Sequence, residues 1–212
     1  MADIFSEVDE DLRRDQYENL WKRYGKYIIA AAAMAVLVTG SAVGWKEYDK
    51  RARMEAGASF EAAKALAGSG DNTLAATAFE NLAGSRYGNV ARLEQAAALI
   101  ASGDEAGGIS IYDKISSDLS DDRFGGLATL LAAQKFLEKG DVQAARSRLE
   151  ALIGVDKPWR YSAQEMIALA ALIDGDIDTA IKVFKELIAD DDAPEGVRSR
   201  AAEMVAALGS PR

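Results

Sequence analysis

The sequence predicts an all-α protein in which a single transmembrane helix is followed by a solenoid of helical hairpins. Residues 27–45 hold no charged side chain, and after them a Gly-Asp pair returns four times. The composition agrees, because only 3 prolines occur in 212 residues while alanine, leucine, glutamate and lysine are abundant. We therefore divide the chain into an N-terminal segment (1–26), a membrane helix (27–45) and a repeat domain (46–212).

The composition also excludes most familiar classes of catalysis. The sequence contains no histidine and no cysteine, so it offers no serine–histidine or cysteine–histidine nucleophile, imidazole base or thiolate zinc site. With 34 acidic and 25 basic residues the formal net charge is −9, whereas nucleic-acid binding requires concentrated basic clusters. We expect a protein that is not an enzyme, has no cofactor and binds no nucleic acid.

The N-terminal segment has the pattern of an amphipathic helix that leads into the apolar run. Apolar side chains recur there at helical spacing, and basic residues lie between them. The apolar positions are Leu12, Tyr17, Leu20, Trp21, Tyr24 and Ile28, and the basic positions are Arg13, Arg14, Lys22, Arg23 and Lys26. Such a helix suits a membrane surface or a docking partner, and a solvated extension without a partner is the alternative.

The uncharged run reads YIIAAAAMAVLVTGSAVGW and is bounded by Lys26 and Lys46. As an α-helix it would be about 28 Å long, close to the ~30 Å hydrocarbon core of a bilayer. Aromatic residues flank it on both sides, as is typical of membrane interfaces. The alternatives are a cleavable signal peptide, with Gly40-Ser41-Ala42 as its cleavage site, and a buried alanine-rich helix. A signal peptide is disfavoured because 26 residues precede the run, which also exceeds the usual apolar length of ~7–15 residues.

The charges on either side of the run slightly favour a cytoplasmic N-terminus, because five basic residues precede it and four follow it within fifteen positions. Inside the run, Gly40 and Gly44 form a G-x-x-x-G motif. We predict these two glycines as the contact for another membrane helix, although small residues are common in membrane spans in general.

The repeat domain is organised around its Gly-Asp pairs, which begin at Gly70, Gly103, Gly140 and Gly175, at intervals of 33, 37 and 35 residues. A glycine can end one helix in the left-handed conformation, and the following aspartate can cap the next helix. Each pair therefore predicts the turn inside a helical hairpin.

Side-chain size keeps the same register around each pair. A small residue stands seven positions before and five after each glycine, and large apolar residues stand nine and twelve after it. In that order the four sets are Ala63, Ala96, Ala133, Ala168; Ala75, Gly108, Ala145, Ala180; Phe79, Tyr112, Leu149, Phe184; and Leu82, Ile115, Leu152, Leu187. Small residues facing one another let two helices pack closely, while the large residues fill the space against the next hairpin. The predicted helices cover about 47–67, 71–83, 88–102, 104–117, 122–139, 141–153, 158–174, 176–190 and 194–208.

A period near 34 with this pattern resembles the tetratricopeptide repeat. The repeats are divergent, because the tryptophan and tyrosine usual in the first helix are missing. The resemblance implies a tetratricopeptide-like solenoid whose work is binding other proteins.

The whole layout resembles one bacterial family, the ancillary subunit of the SecYEG translocon. The resemblance rests on the lead LRRDQYENLWKRYGKYI, the alanine-rich run ending in Gly44-Trp45-Lys46, and the divergent repeats. It implies a single-pass inner-membrane protein with a cytoplasmic N-terminus and a periplasmic repeat domain. The partners it implies are translocon subunits, periplasmic chaperones and newly exported chains. A related class with the same repeat domain works in cell-division complexes, so an envelope scaffold that binds folded partners is the alternative.

One acidic segment looks like the start of a calcium loop, namely DGDID at residues 174–178. A complete loop needs glycine at its sixth position and glutamate at its twelfth, and these places hold Thr179 and Lys185. We interpret the segment as a helix end followed by a helix cap, and we expect no metal site.

The candidate binding surface is the inner face of the solenoid, formed by the first helix of each hairpin. By repeat register, that face carries Leu93, Ala97, Ile100, Leu127, Leu130, Gln134, Leu137, Glu165, Leu169 and Leu172. A mostly apolar groove would bind an extended or helical apolar segment. The alternative is that these leucines pack internally between adjacent hairpins. Trp159 and Tyr161 are further candidates for exposed anchors, although Trp159 could equally staple a helix start.

Overall fold

The computed structural model describes residues 3–120 and 122–209, with side chains described from residue 21 onward except at positions 28, 31 and 32. Contacts divide the chain into two compact units, Met1–Glu55 and Ala56–Arg212. The first helix, α1, covers Asp3–Gly68, so the predicted membrane helix and the predicted helix at 47–67 both belong to it. The predicted amphipathic pattern falls in part on side chains before residue 21 and on Ile28, which lie outside those described.

The first unit presents exposed apolar side chains along its described part. Among the large ones are Met34, Val36, Leu37, Val38 and Val43, each more than half exposed. A search of the described residues identified no helix of the length and apolar character that a membrane crossing requires.

The second unit consists of paired helices joined by short turns. The helices after α1 are α2 (Asn72–Glu80), α3 (Gly88–Ala101), α4 (Glu105–Asp118), α5 (Arg123–Glu138), α6 (Val142–Leu149), α7 (Arg160–Ile173), α8 (Ile177–Ala189) and α9 (Glu195–Gly209). A short 3₁₀ turn at Glu150–Leu152 follows α6, where the sequence predicted a continuous helix to residue 153. The predicted all-helical repeat architecture is confirmed in this unit.

The four Gly-Asp pairs form the turns between the two helices of each hairpin, as predicted. Their glycines have φ values of 88°, 99°, 75° and 80°, in the left-handed region that favours glycine. At α3–α4, the Asp104 N–H donates to the Leu99 carbonyl at 2.9 Å and the Gly103 N–H donates to the Ile100 carbonyl at 3.0 Å. This is the Schellman pattern, which satisfies the last carbonyls of a helix, and it recurs at all four pairs.

The aspartates cap three of the four following helices. The carboxylates of Asp104, Asp141 and Asp176 accept hydrogen bonds from backbone N–H groups three residues later, at 2.9, 3.1 and 3.0 Å. The prediction of a fourth cap, by Asp71, is wrong, since its side chain makes no capping bond to α2. The Ser69 hydroxyl donates to that carboxylate instead, at 3.2 Å.

The core consists of four clusters, each centred on the second helix of a hairpin and shared with the first helices on either side. The clusters join α1–α2–α3, α3–α4–α5, α5–α6–α7 and α7–α8–α9. Every residue of the four predicted size sets is buried in this core, and the four alanines that precede the glycines are completely inaccessible. The register predicted from side-chain size is therefore confirmed.

The closest approach of two helices in the described core occurs at Gly108, where α4 crosses α3. A β-carbon added to Gly108 would lie 2.5 Å from the carbonyl oxygen of Ala96 and 2.5 Å from the Ile100 side chain. The Ala96 carbonyl belongs to the backbone of α3 and cannot rotate away, so the two helices would have to separate.

We expect Gly108→Ala to lower the free energy of unfolding by about 1–2 kcal/mol, because overpacking outweighs the gain in helix propensity. The matched control is Gly196→Ala in α9, where the new β-carbon would meet only the Arg200 guanidinium at 3.6 Å. That variant should be neutral or slightly stabilising. Urea unfolding followed by circular dichroism measures both, and equal effects would contradict the close approach.

Candidate protein-binding groove

An apolar groove of about 490 Å³ opens between α5 and α7, the first helices of two successive hairpins. Its lining is mainly aliphatic, with a polar edge supplied by α5. The lining residues are Gln134, Leu137, Glu138, Met166, Leu169, Leu172 and Ile173. Leu169 and Ile173 are 37% and 51% exposed, so the groove presents apolar surface to whatever enters it.

The structure brings four of the ten predicted surface residues together in this groove. These are Gln134 and Leu137 on α5, and Leu169 and Leu172 on α7. Exposed leucines on first helices at this place agree with the expected position of a binding face.

Four other predicted residues belong wholly or partly to the core. Leu93 and Leu130 are only 9% and 8% exposed, and Ile100 and Leu127 are half-buried against the α3–α4–α5 cluster. For these positions the structure gives the internal packing that the sequence left open.

The remaining two predicted residues lie outside the groove. Ala97 is exposed on α3. Glu165 is held by Arg200 of α9, whose guanidinium donates to both carboxylate oxygens at 2.7 and 2.6 Å. This hydrogen-bonded pairing raises the pKa of Arg200 and ties α9 to α7.

Three lining residues were missing from the sequence-based set, namely Glu138, Met166 and Ile173. Each stands three or four positions from a residue that was included: Glu138 follows Gln134 by four, while Met166 and Ile173 bracket Leu169. Side chains at these spacings share one helix face, so the helical period itself was the available signal.

The polar edge of the groove is an ordered network on α5. Lys135 donates to one oxygen of Glu138 at 2.7 Å and the Gln134 amide donates to the other at 3.0 Å. The hydrogen bond from Lys135 lowers the pKa of the Glu138 carboxyl below its ordinary value. Glu138 therefore remains an anion at neutral pH.

Trp159 positions α7 against α5. Its indole N–H donates to the Arg123 carbonyl at 2.8 Å, and its ring packs on Gly126, where a β-carbon would collide with it. The half-buried Trp159 is thus a staple rather than an exposed anchor. Tyr161 is also half-buried, and the Arg160 guanidinium lies 4.3 Å from its ring centroid while pairing with Asp190 at 2.5 Å.

The two glycines predicted for membrane-helix contact lie in the first unit. An added β-carbon at Gly40 or at Gly44 would meet nothing within 4 Å. Gly40 also lines a shallow surface with Ala35, Val36 and Thr39. Their contact with another helix remains a prediction.

The described residues contain no group of three or more acidic side chains positioned to hold a metal ion. In the DGDID segment, Asp176 caps α8, and hydrogen bonds from Thr179 lower the pKa of its carboxyl. The interpretation of this segment as a helix end and a helix cap is confirmed.

Stacked helical hairpins with a groove between their first helices define the class of α-helical repeat proteins. Within that class, residues 18–122 match the family described as tetratricopeptide repeat-like domain, and residues 130–195 match the tetratricopeptide repeat. The chain therefore carries tetratricopeptide-like repeats, and it is a protein–protein interaction module. No curated protein gave a match.

Two similar solved structures come from Podosopora anserina, a kinesin-light-chain-like protein with nearly identical TPR-like repeats and a variant of it. They are 16% and 15% identical to the chain, with TM-scores of 0.54 and 0.55. Each alignment covers 74% of this chain and 85% of the other. At this identity, the likeness concerns the fold alone.

Proposed function

We propose that the chain is a membrane-tethered protein-interaction module that acts as an ancillary subunit of the Sec translocon. In this proposal residues 27–45 cross the bacterial inner membrane once, with the N-terminus in the cytoplasm and the repeats in the periplasm. The repeats link the translocon to periplasmic chaperones or to newly exported chains. The protein catalyses no reaction and uses no cofactor.

The observation that carries the tether is an exposed helix segment that is apolar on every side. At 100° per residue, Met34, Val36, Leu37 and Val38 point in four different directions around α1, and all are exposed. A helix without a polar face suits a protein core or lipid, not water. Since no described part of the chain covers these side chains, lipid is the environment we assign to them.

The flanks of the segment support the same assignment. Tyr24 and Tyr27 at one end, and Trp45 and Tyr48 at the other, are exposed aromatics at the spacing of two membrane interfaces. The Lys26 ammonium lies 5.1 Å from the Tyr27 ring centroid. A basic group beside an interfacial aromatic suits the headgroup region.

The family match supports retention of the apolar run in the mature protein. The tetratricopeptide repeat-like domain begins its match at residue 18, ahead of the run, and continues through it to residue 122. Cleavage near Gly40 would therefore cut into the matched domain. Protease treatment of intact spheroplasts tests the orientation, because a periplasmic repeat domain should be digested and a cytoplasmic one protected.

The groove between α5 and α7 supports the binding of an apolar segment rather than of a charged chain terminus. Its lining contains five aliphatic side chains and no basic residue. Tethering would place the groove at an effective concentration in the millimolar range for a neighbouring partner. A weak groove affinity would then be sufficient for function.

Leu169→Asp should reduce the capture of denatured client proteins by the full chain in detergent by about tenfold or more, which corresponds to ~1.4 kcal/mol. The substitution removes a central apolar contact and places a charge in the groove. The matched control is Leu74→Asp, at a leucine of α2 that is 60% exposed and lies outside the groove. Equal loss in both variants would contradict the groove, and capture of folded proteins alone would indicate an envelope scaffold.

A further inference from the structure

The groove opens at the carboxyl ends of two helices. Leu137 and Glu138 are the last residues of α5, and Leu172 and Ile173 end α7. The backbone dipoles of a helix give its carboxyl end a partial negative charge, which favours a cation nearby. Two such ends lie side by side at this groove.

Side-chain charges at the same place have the same sign. Lys135 is paired with Glu138 at 2.7 Å, and Lys139 is paired with Glu105 at 3.0 Å, so both nearby cations already have anionic partners. Asp174 directly follows Ile173 and is exposed. The helix caps Asp141 and Asp176 add two more carboxylates in the adjoining turns.

We propose that the groove selects short segments in which apolar side chains are followed by lysine or arginine. The apolar part would lie among Leu137, Met166, Leu169 and Ile173, and the basic part would face Glu138 and Asp174. An acidic segment would meet carboxylates and two negative helix ends, with no basic residue in the lining to offset them. This selectivity rests on the proposed function, because it requires that the groove binds protein segments at all.

The test uses the full chain in detergent and three capped, fluorescent peptides with the same leucine-rich portion. The peptides end in two lysines, two glutamines or two glutamates, and anisotropy measures their affinity. The lysine peptide should bind about three- to tenfold more tightly than the glutamine peptide, and the glutamate peptide more weakly still. Added salt should reduce these differences, because the charges involved are exposed.

A charge-removing variant, Glu138→Gln with Asp174→Asn, should bring the lysine-to-glutamine affinity ratio close to one. The matched control, Glu80→Gln with Glu150→Gln, removes two exposed carboxylates outside the groove and should keep the wild-type ratio. Thermal unfolding by circular dichroism verifies that both variants remain folded.

The outcomes separate this inference from the proposed function. Equal binding of the three peptides, or tighter binding of the glutamate peptide, would overturn the basic preference and leave groove binding intact. Binding of none of them would overturn the basic preference together with groove binding. A ratio that falls equally in the control variant would also overturn the inference, since net charge alone would then explain it.

Discussion

Phe184→Ala is expected to lower the free energy of unfolding by about 3–5 kcal/mol, the largest stability effect we foresee in the repeat domain. Phe184 is completely inaccessible, and it joins α8 to both α7 and α9 through contacts in one cluster. Truncation leaves a cavity that neighbouring helices can fill only in part. Urea unfolding of the full chain in detergent, followed by far-ultraviolet circular dichroism, measures the change.

Ile188→Ala is the matched control for Phe184→Ala on the same helix. Ile188 is 36% exposed, so its truncation should cost about 1 kcal/mol or less. Because each hairpin contacts only its neighbours, the loss at Phe184 should appear as early melting of the C-terminal hairpins. A single transition shifted equally by both variants would contradict this localised effect.

Leu37→Arg combined with Val38→Arg is expected to release the chain from membranes. Each arginine near the centre of a span costs about 2.5–3.5 kcal/mol on the insertion scale, so two oppose insertion by roughly 5–7 kcal/mol. Both native side chains are exposed on α1, at 70% and 64%. Alkaline carbonate extraction of membranes, followed by immunoblotting of pellet and supernatant, provides the measurement.

Leu37→Ala with Val38→Ala is the control for the arginine variant, since it alters the same positions but keeps them apolar. It should stay in the carbonate-resistant pellet. If the arginine variant also remained there in the wild-type amount, residues 27–45 would not be a membrane helix.

The sequence contained enough information to place the turns and the core of the repeats. Gly103 and Gly175 mark turns because their backbone requires a positive φ, which is a local property. Ala96 and Phe184 mark core positions because helix spacing and side-chain volume are fixed by the residues themselves. Such local signals are readable without knowledge of the remaining fold.

The division of the first-helix leucines between core and groove could not be predicted in the same way. Leu130 and Leu137 share one helix and a similar register, yet Leu130 is buried and Leu137 lines the groove. The difference depends on how far α7 stands from α5 at each level, which Trp159 and Gly126 help to set. That distance is a tertiary property, so the apolar pattern of one helix cannot reveal it. The failure of Asp71 to cap α2 has a similar origin, because the neighbouring Ser69 hydroxyl competes for its carboxylate.

The sharing of α3, α5 and α7 between successive core clusters has a mechanical consequence. Each of these helices is gripped on two flanks, whereas α9 is gripped on one, so the stack is weakest at its far end and strongest in its middle. A pulling or proteolytic challenge would therefore peel the array inward from that terminus, one hairpin after another. The α5–α7 groove would survive the first losses, because the seam on which it rests is reached only after α8 and α9 have come away.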